Sequence, residues 1–177
     1  TSTAPTSAVL LVNLGTPDAP TASAVRRYLA EFLHDYRVVP LSRWLWCPIL
    51  HFAILPLRSG PVAKKYASIW TPAGSPLMAH TRALAENLQH QMPDTRVRMA
   101  MRYGQPSISG ALRELQALGL RRLLVVPLYP QYSATTTASV LDAVSAELAR
   151  WRFVPELRFV QDYWADPAWV EAVAQSI

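Results

Sequence analysis

Cysteine is almost absent: Cys47 stands alone among 177 residues. No disulfide framework and no cysteine-based zinc site can form within such a chain, and the low thiol count fits a reducing compartment. Glycine is also scarce, with six residues. None falls into a GxGxxG or GxxxxGK[ST] pattern, so the usual glycine-rich phosphate cradles are missing. Charged residues make up only 16% against 51% hydrophobic, a balance that excludes a disordered chain and allows a sizeable core. Acidic residues fall short of basic ones, 12 against 17, for a net charge of +5. The basic residues are scattered or paired, as in Arg26-Arg27, Lys64-Lys65 and Arg121-Arg122. No Lys/Arg block with interleaved aromatics marks a nucleic-acid surface. The mild positive excess suits an acidic small ligand or an anionic membrane surface. Residues 1–7 have neither a basic n-region nor an apolar h-region, so they read as a disordered lead rather than a signal peptide.

A long hydrophobic run is missing too. The most apolar stretch, Leu45–Leu57, is interrupted by Pro48, His51 and Pro56 and is too short to span a bilayer. Trp44 and Trp46 stand at its start, and Arg43 and Arg58 flank it. Two readings fit: a buried core helix or lip over an apolar pocket, and a segment lying on a membrane surface.

The remaining chain alternates between strand-like and helix-like patterns. Ala8–Asn13 is an apolar run ending in the turn signals Gly15-Thr16-Pro17, which predicts a buried strand. Apolar residues at helical spacing, with Thr21 or Ser23 as cap, predict a helix over Thr21–His34. Arg37–Pro40 reads as a short strand. Ser42–Leu57 reads as partly helical and Pro61–Trp70 as a separate short helix. Ser75 caps a longer helix to Met92, with Pro76 at its first position. Arg96–Tyr103 alternates as a strand does, Ser107–Leu118 is helical, and Arg122–Leu128 is a strongly apolar strand. A helix over Thr135–Arg150, a strand at Leu157–Val160 and a helix capped by Asp166 complete the pattern. Alternating strands and helices of this length predict an α/β fold with a parallel sheet flanked by helices on both faces.

Ligands of such sheets bind at the carboxyl ends of the strands. Three loops therefore matter: Leu14-Gly15-Thr16-Pro17, Arg102-Tyr103-Gly104, and Tyr129 through Thr137. The first, taken alone, is an ordinary tight turn. Arg102-Tyr103 sets a cation beside a flat aromatic; the bland reading is a snorkelling arginine and a core tyrosine. In Pro127-Leu128-Tyr129-Pro130-Gln131-Tyr132 the tyrosines and prolines make a rigid aromatic wall. The hydroxyls that follow can serve as no more than a helix cap, or can favour an anion at the helix N-terminus. His34, His51, His80 and His90 form no metal-ligand pair by spacing, and no G-x-S-x-G elbow is present. The residues by themselves predict a domain binding a flat, partly apolar, anionic ligand.

The run LLVNLGTPDAPTASAVRRYL, the GSPL segment, the Arg-Tyr strand end and above all PLYPQYSATTT resemble the ferrochelatase family, over about Val9 to Ile177. The resemblance implies insertion of ferrous iron into protoporphyrin IX, the last step of haem synthesis, with iron and porphyrin as substrates and no prosthetic group. It implies two Rossmann-like halves around a porphyrin cleft. It also implies a porphyrin-binding set: Leu14 and Tyr129 in the pocket, Arg58 and Ser75 toward the propionates with Tyr66 near that same edge, and Arg102 with Tyr103 on the metal-entry side. Ala134 stands where some members carry cysteine.

The family's catalytic histidine motif and its glutamate are not among these residues, so no catalytic or metal-binding residue is expected in this chain. The expected organisation is a lead over 1–7, an N-terminal domain over 8–164, and over 165–177 the start of a helix leading to a C-terminal half. That half and the porphyrin are the expected partners, with peripheral membrane contact through Leu45–Leu57 and no nucleic acid. The expected location is cytoplasmic, or peripheral on the inner membrane. Two alternatives stay open: a chelatase for coproporphyrin or for a cobalt or nickel tetrapyrrole, and a non-catalytic flavodoxin-like binding domain.

Overall fold

A computed structural model describes residues 6–177. Four strands form one sheet in the order β2-β1-β3-β4: β1 (Thr6–Gly15), β2 (Arg96–Tyr103), β3 (Leu120–Pro127) and β4 (Glu156–Phe159). Every pairing is parallel. The central place of β1 follows from its sequence, because Ala8 through Val12 are all buried. A strand apolar on both faces needs cover on both.

That cover is helical. Ala8, Leu10 and Val12 face α5 (Ile108–Ala117) and α6 (Ser139–Leu148), packing with Leu112, Leu115, Val140 and Val144. Val9 and Leu11 face the other way, toward α4 (Pro76–Gln91), with Ala85 and Leu88. The α/β architecture with helices on both faces is as expected. On the α4 side a groove of about 600 Å³ stays open, lined by Leu11, Leu88, Val126, Leu128 and Trp169 among others.

Helix starts follow capping chemistry. Thr21 accepts from the Ala24 amide at the start of α1 (Ala22–Leu33). Ser75 accepts from Met78 and Ser107 from Gly110. Asp166 accepts from Ala168 and Trp169 at α7 (Pro167–Gln175). Each satisfies an amide with no partner inside the helix.

Three expectations about the chain path are corrected. Thr6 and Ser7 pair with Leu120 and Arg122, so they belong to β1 and not to a lead; residues 1–5 lie outside the described residues. Arg37–Pro40 is not a strand. Asp35 turns the chain there: its carboxylate accepts from the Arg37 amide at 2.7 Å and its carbonyl from Val38 and Val39. The break expected between Leu57 and Pro61 is also absent. α2 (Arg43–Ile49) passes through a π-helical turn at Leu50–Ile54 into α3 (Leu55–Ile69), with Pro48 and Pro61 inside the helical run.

Of the apolar stretch in that run only Leu50 and Leu55 are buried, while Trp44 is 93% and Phe52 86% exposed. The reading as a buried core helix does not hold. No helix of the described residues is long and apolar enough to cross a membrane.

Candidate functional site

Parallel pairing aligns the strand ends. Gly15 lies beside Tyr103, and Val12 beside Pro127, whose neighbour Leu128 donates its amide to Val12. Leu14, Arg102, Tyr103 and Tyr129 therefore share one edge, the carboxyl edge of the sheet. The β1 and β2 ends touch backbone to backbone. Gly15 has φ of +114°, and a Cβ there would stand 1.8 Å from the Tyr103 carbonyl oxygen. Only glycine allows that approach.

A polar cluster is built onto this edge. Arg102 donates from Nη2 to Asp35 Oδ2 at 2.7 Å, and from Nε to the Ser139 carbonyl and hydroxyl at 3.0 and 2.6 Å. The Tyr103 hydroxyl donates to the same Asp35 oxygen at 2.7 Å, and Ser139 donates to it as well. The Arg102 guanidinium lies over the Tyr103 ring, 4.6 Å from its centroid. Burial acts first to raise the Asp35 carboxyl, but the bonds from Ser139 and Tyr103, with the Arg37 amide and the Arg102 charge, hold it below the usual range. Burial pushes the Tyr103 phenol up to about 12.

Aromatic rings continue from the cluster. Phe32 meets Tyr103 edge-on at 5.1 Å, Tyr28 stacks on Phe32, and Tyr66 meets Tyr28 edge-on at 6.4 Å. Trp70 follows Tyr66. The Tyr129 hydroxyl is buried with no hydrogen-bond partner among the described residues, and burial pushes its phenol up. Such walls hold flat apolar rings by area and quadrupole contacts.

The structure sorts the expected residues. Leu14, Arg102 and Tyr129 meet at the edge, and Tyr66 joins them through Tyr28. Tyr103 is wholly buried, so its ring supports the edge from behind. Ser75 is buried as the α4 cap, beside Thr16 and Trp70 in a pocket of about 190 Å³. Arg58 stands exposed on α3 with no hydrogen-bond or ion-pair partner among the described residues. None of the histidines joins the cluster. His34 Nδ1 bonds the Ala30 carbonyl, His51 lies against the His34 ring, and His80 and His90 are exposed on α4. Asp35, Ser139 and Tyr28 are the residues that sequence reasoning missed. Ser139 follows the hydroxyl run directly, which was its one available signal. Asp35 had none, since its partners lie up to 104 positions away.

The ferrochelatase family model matches residues 6–177. A ferrochelatase of Stenotrophomonas maltophilia (strain R551-3) is 58% identical over 174 residues, covering 98% of this chain and 54% of its own length. One of Xylella fastidiosa (strain M12) is 56% identical over 170 residues, covering 96% and 53%. One of Vibrio cholerae serotype O1 is 50% identical over 169 residues, covering 96% and 52%. The chain spans about half the length of the curated relatives it matches.

Proposed function

The chain belongs to the ferrochelatase family, and from that premise we propose that it is the porphyrin-binding half of an enzyme that inserts ferrous iron into protoporphyrin IX. The observation that carries the reading is the single edge formed by Leu14, Arg102 and Tyr129, backed by the aromatic run through Tyr28 and Tyr66. Protoporphyrin is a flat apolar disc with two propionates on one side. The walls hold the disc, and the free guanidinium of Arg58 binds a propionate by a charge-assisted bond. Ser75 and Tyr66 complete that margin.

Metallation removes two pyrrole protons, which requires a base over the ring. Arg102 cannot accept a proton, and the Tyr103 phenol, raised to about 12, already donates to Asp35. The histidine and glutamate that serve as base lie in the second half. The exposed Trp44, Leu45, Phe52 and Leu57, with Arg43 and Arg58 beside them, suit a lip that touches a cytoplasmic membrane surface. That apolar lip favours the two-carboxylate porphyrin over coproporphyrin, whose four carboxylates fit a more polar margin.

Porphyrin fluorescence titrated against wild type and Arg58→Ala tests the reading. Loss of the bond weakens protoporphyrin binding roughly tenfold or more, with no change in melting temperature because Arg58 has no partner among the described residues. Equal affinity of the wild type for protoporphyrin and its dimethyl ester would remove the propionate role.

A further inference from the structure

An ion pair is buried at the edge. Asp35 and Arg102 side chains are 7% and 19% exposed. Buried pairs of this kind seldom add net stability over an apolar replacement, because both ions lose their water. Yet the cluster is fully committed. Asp35 Oδ2 takes Arg102, Tyr103 and Ser139, and Oδ1 takes the Arg37 amide. Arg37 in turn pairs with Asp142 of α6 at 2.7 Å. The turn after α1 is thereby tied to the β2 end and to α6.

The consequence is electrostatic. The Glu31 carboxylate at this edge is bonded to the Gly104 amide, and without Asp35 the Arg102 guanidinium loses its ion-pair partner while it lies against the Tyr103 ring. Such a cation repels a divalent metal with twice the energy felt by a monovalent one, and it would also draw a propionate to the wrong margin. We propose that Asp35 is a positioning residue for metal insertion: it locks Arg102 and cancels its charge, so that a divalent cation arriving at this edge meets no net positive field. This assignment rests on the porphyrin reading above and on the metal-entry side that the family resemblance implies for Arg102 and Tyr103.

The test measures initial rates of metallation against ferrous iron concentration, anaerobically and at low salt. It uses this chain together with the second half its relatives carry. Asp35→Asn is expected to raise KM for iron roughly tenfold, the size of effect of one unbalanced charge on a nearby divalent ion in a water-like dielectric. Added salt is expected to narrow the gap. Asp35→Asn combined with Arg102→Gln restores neutrality and brings KM back toward wild type. A purely structural role for Asp35 predicts instead that the double variant is at least as impaired as the single one. Should Asp35→Asn fail to fold, Arg102→Gln alone keeps the bonds of Asp35 to Tyr103 and Ser139, and its KM for iron is expected to fall below wild type. An unchanged KM in Asp35→Asn, no recovery in the double variant, or a raised KM in Arg102→Gln would overturn the assignment while leaving the porphyrin reading intact. Absence of metallation by the wild type would overturn the reading itself.

Discussion

Replacing Gly15 by alanine strikes the point where β1 and β2 close on each other. Two costs follow from the structure. The residue sits at φ of +114°, a conformation that costs an L-residue with a Cβ about 1–2 kcal/mol. The new methyl would stand 1.8 Å from the Tyr103 carbonyl oxygen, so one strand end must move, at roughly 1–3 kcal/mol for forced repacking. The sum is about 2–5 kcal/mol. At about 2–4 °C per kcal/mol for a domain of this size, the melting temperature should drop by roughly 4–20 °C. Gly60→Ala is the internal control, because that glycine lies within α3 and a Cβ there meets nothing within 4 Å. It should melt at or slightly above wild type, since alanine is the better helix former. Thermal unfolding of the three proteins side by side decides the matter. A Gly15→Ala protein melting with wild type would refute the close approach, and with it the registration of Leu14 against Arg102 and Tyr103.

Two further outcomes are expected. The Asp35 carboxyl sits below its unfolded value, so its bonds contribute stability above the unfolded pKa of about 3.9 and lose it as pH falls through the lower folded value. The stability gap between wild type and Asp35→Asn, followed by urea midpoints from pH 7 to 3, should therefore shrink below about pH 4; a constant gap would speak against the bonding described. In the lip, Trp44→Ser with Phe52→Ser removes two exposed aromatics and should abolish co-sedimentation with anionic vesicles at unchanged melting temperature, whereas undiminished binding would remove membrane contact from that segment.

The parts of this fold that the sequence made legible are those where one local pattern decides the outcome. Ala8–Val12 is apolar without interruption, and no other element of this length buries such a run as simply as a central strand. Ser75-Pro76 and Asp166-Pro167 announce helix starts because cap and proline act within one turn. Arg37–Pro40 misled because Val38 and Val39 carry strand propensity, while the deciding force, the Asp35 carboxylate on the Arg37 amide, is a side-chain bond that propensity ignores. The helix runs on through Pro48 and Pro61, with a π turn at Leu50–Ile54 between them, and no local pattern in the sequence announces that turn. The site divides the same way. Leu14, Arg102 and Tyr129 were legible because each ends an apolar strand. Asp35 and Ser139 were not, since only the folded chain brings them to Arg102.

The position of the base decides how the two halves divide the reaction. Residues 1–177, purified alone, should quench protoporphyrin fluorescence on binding yet leave its visible spectrum unmetallated when ferrous iron is added anaerobically. The same residues joined to the second half should convert the spectrum to that of haem. A positioned base is typically worth 10²–10⁴ in rate, which sets the expected gap between the two. Turnover by 1–177 comparable to that of the full-length protein would place the base within this half and contradict the division of labour proposed for it.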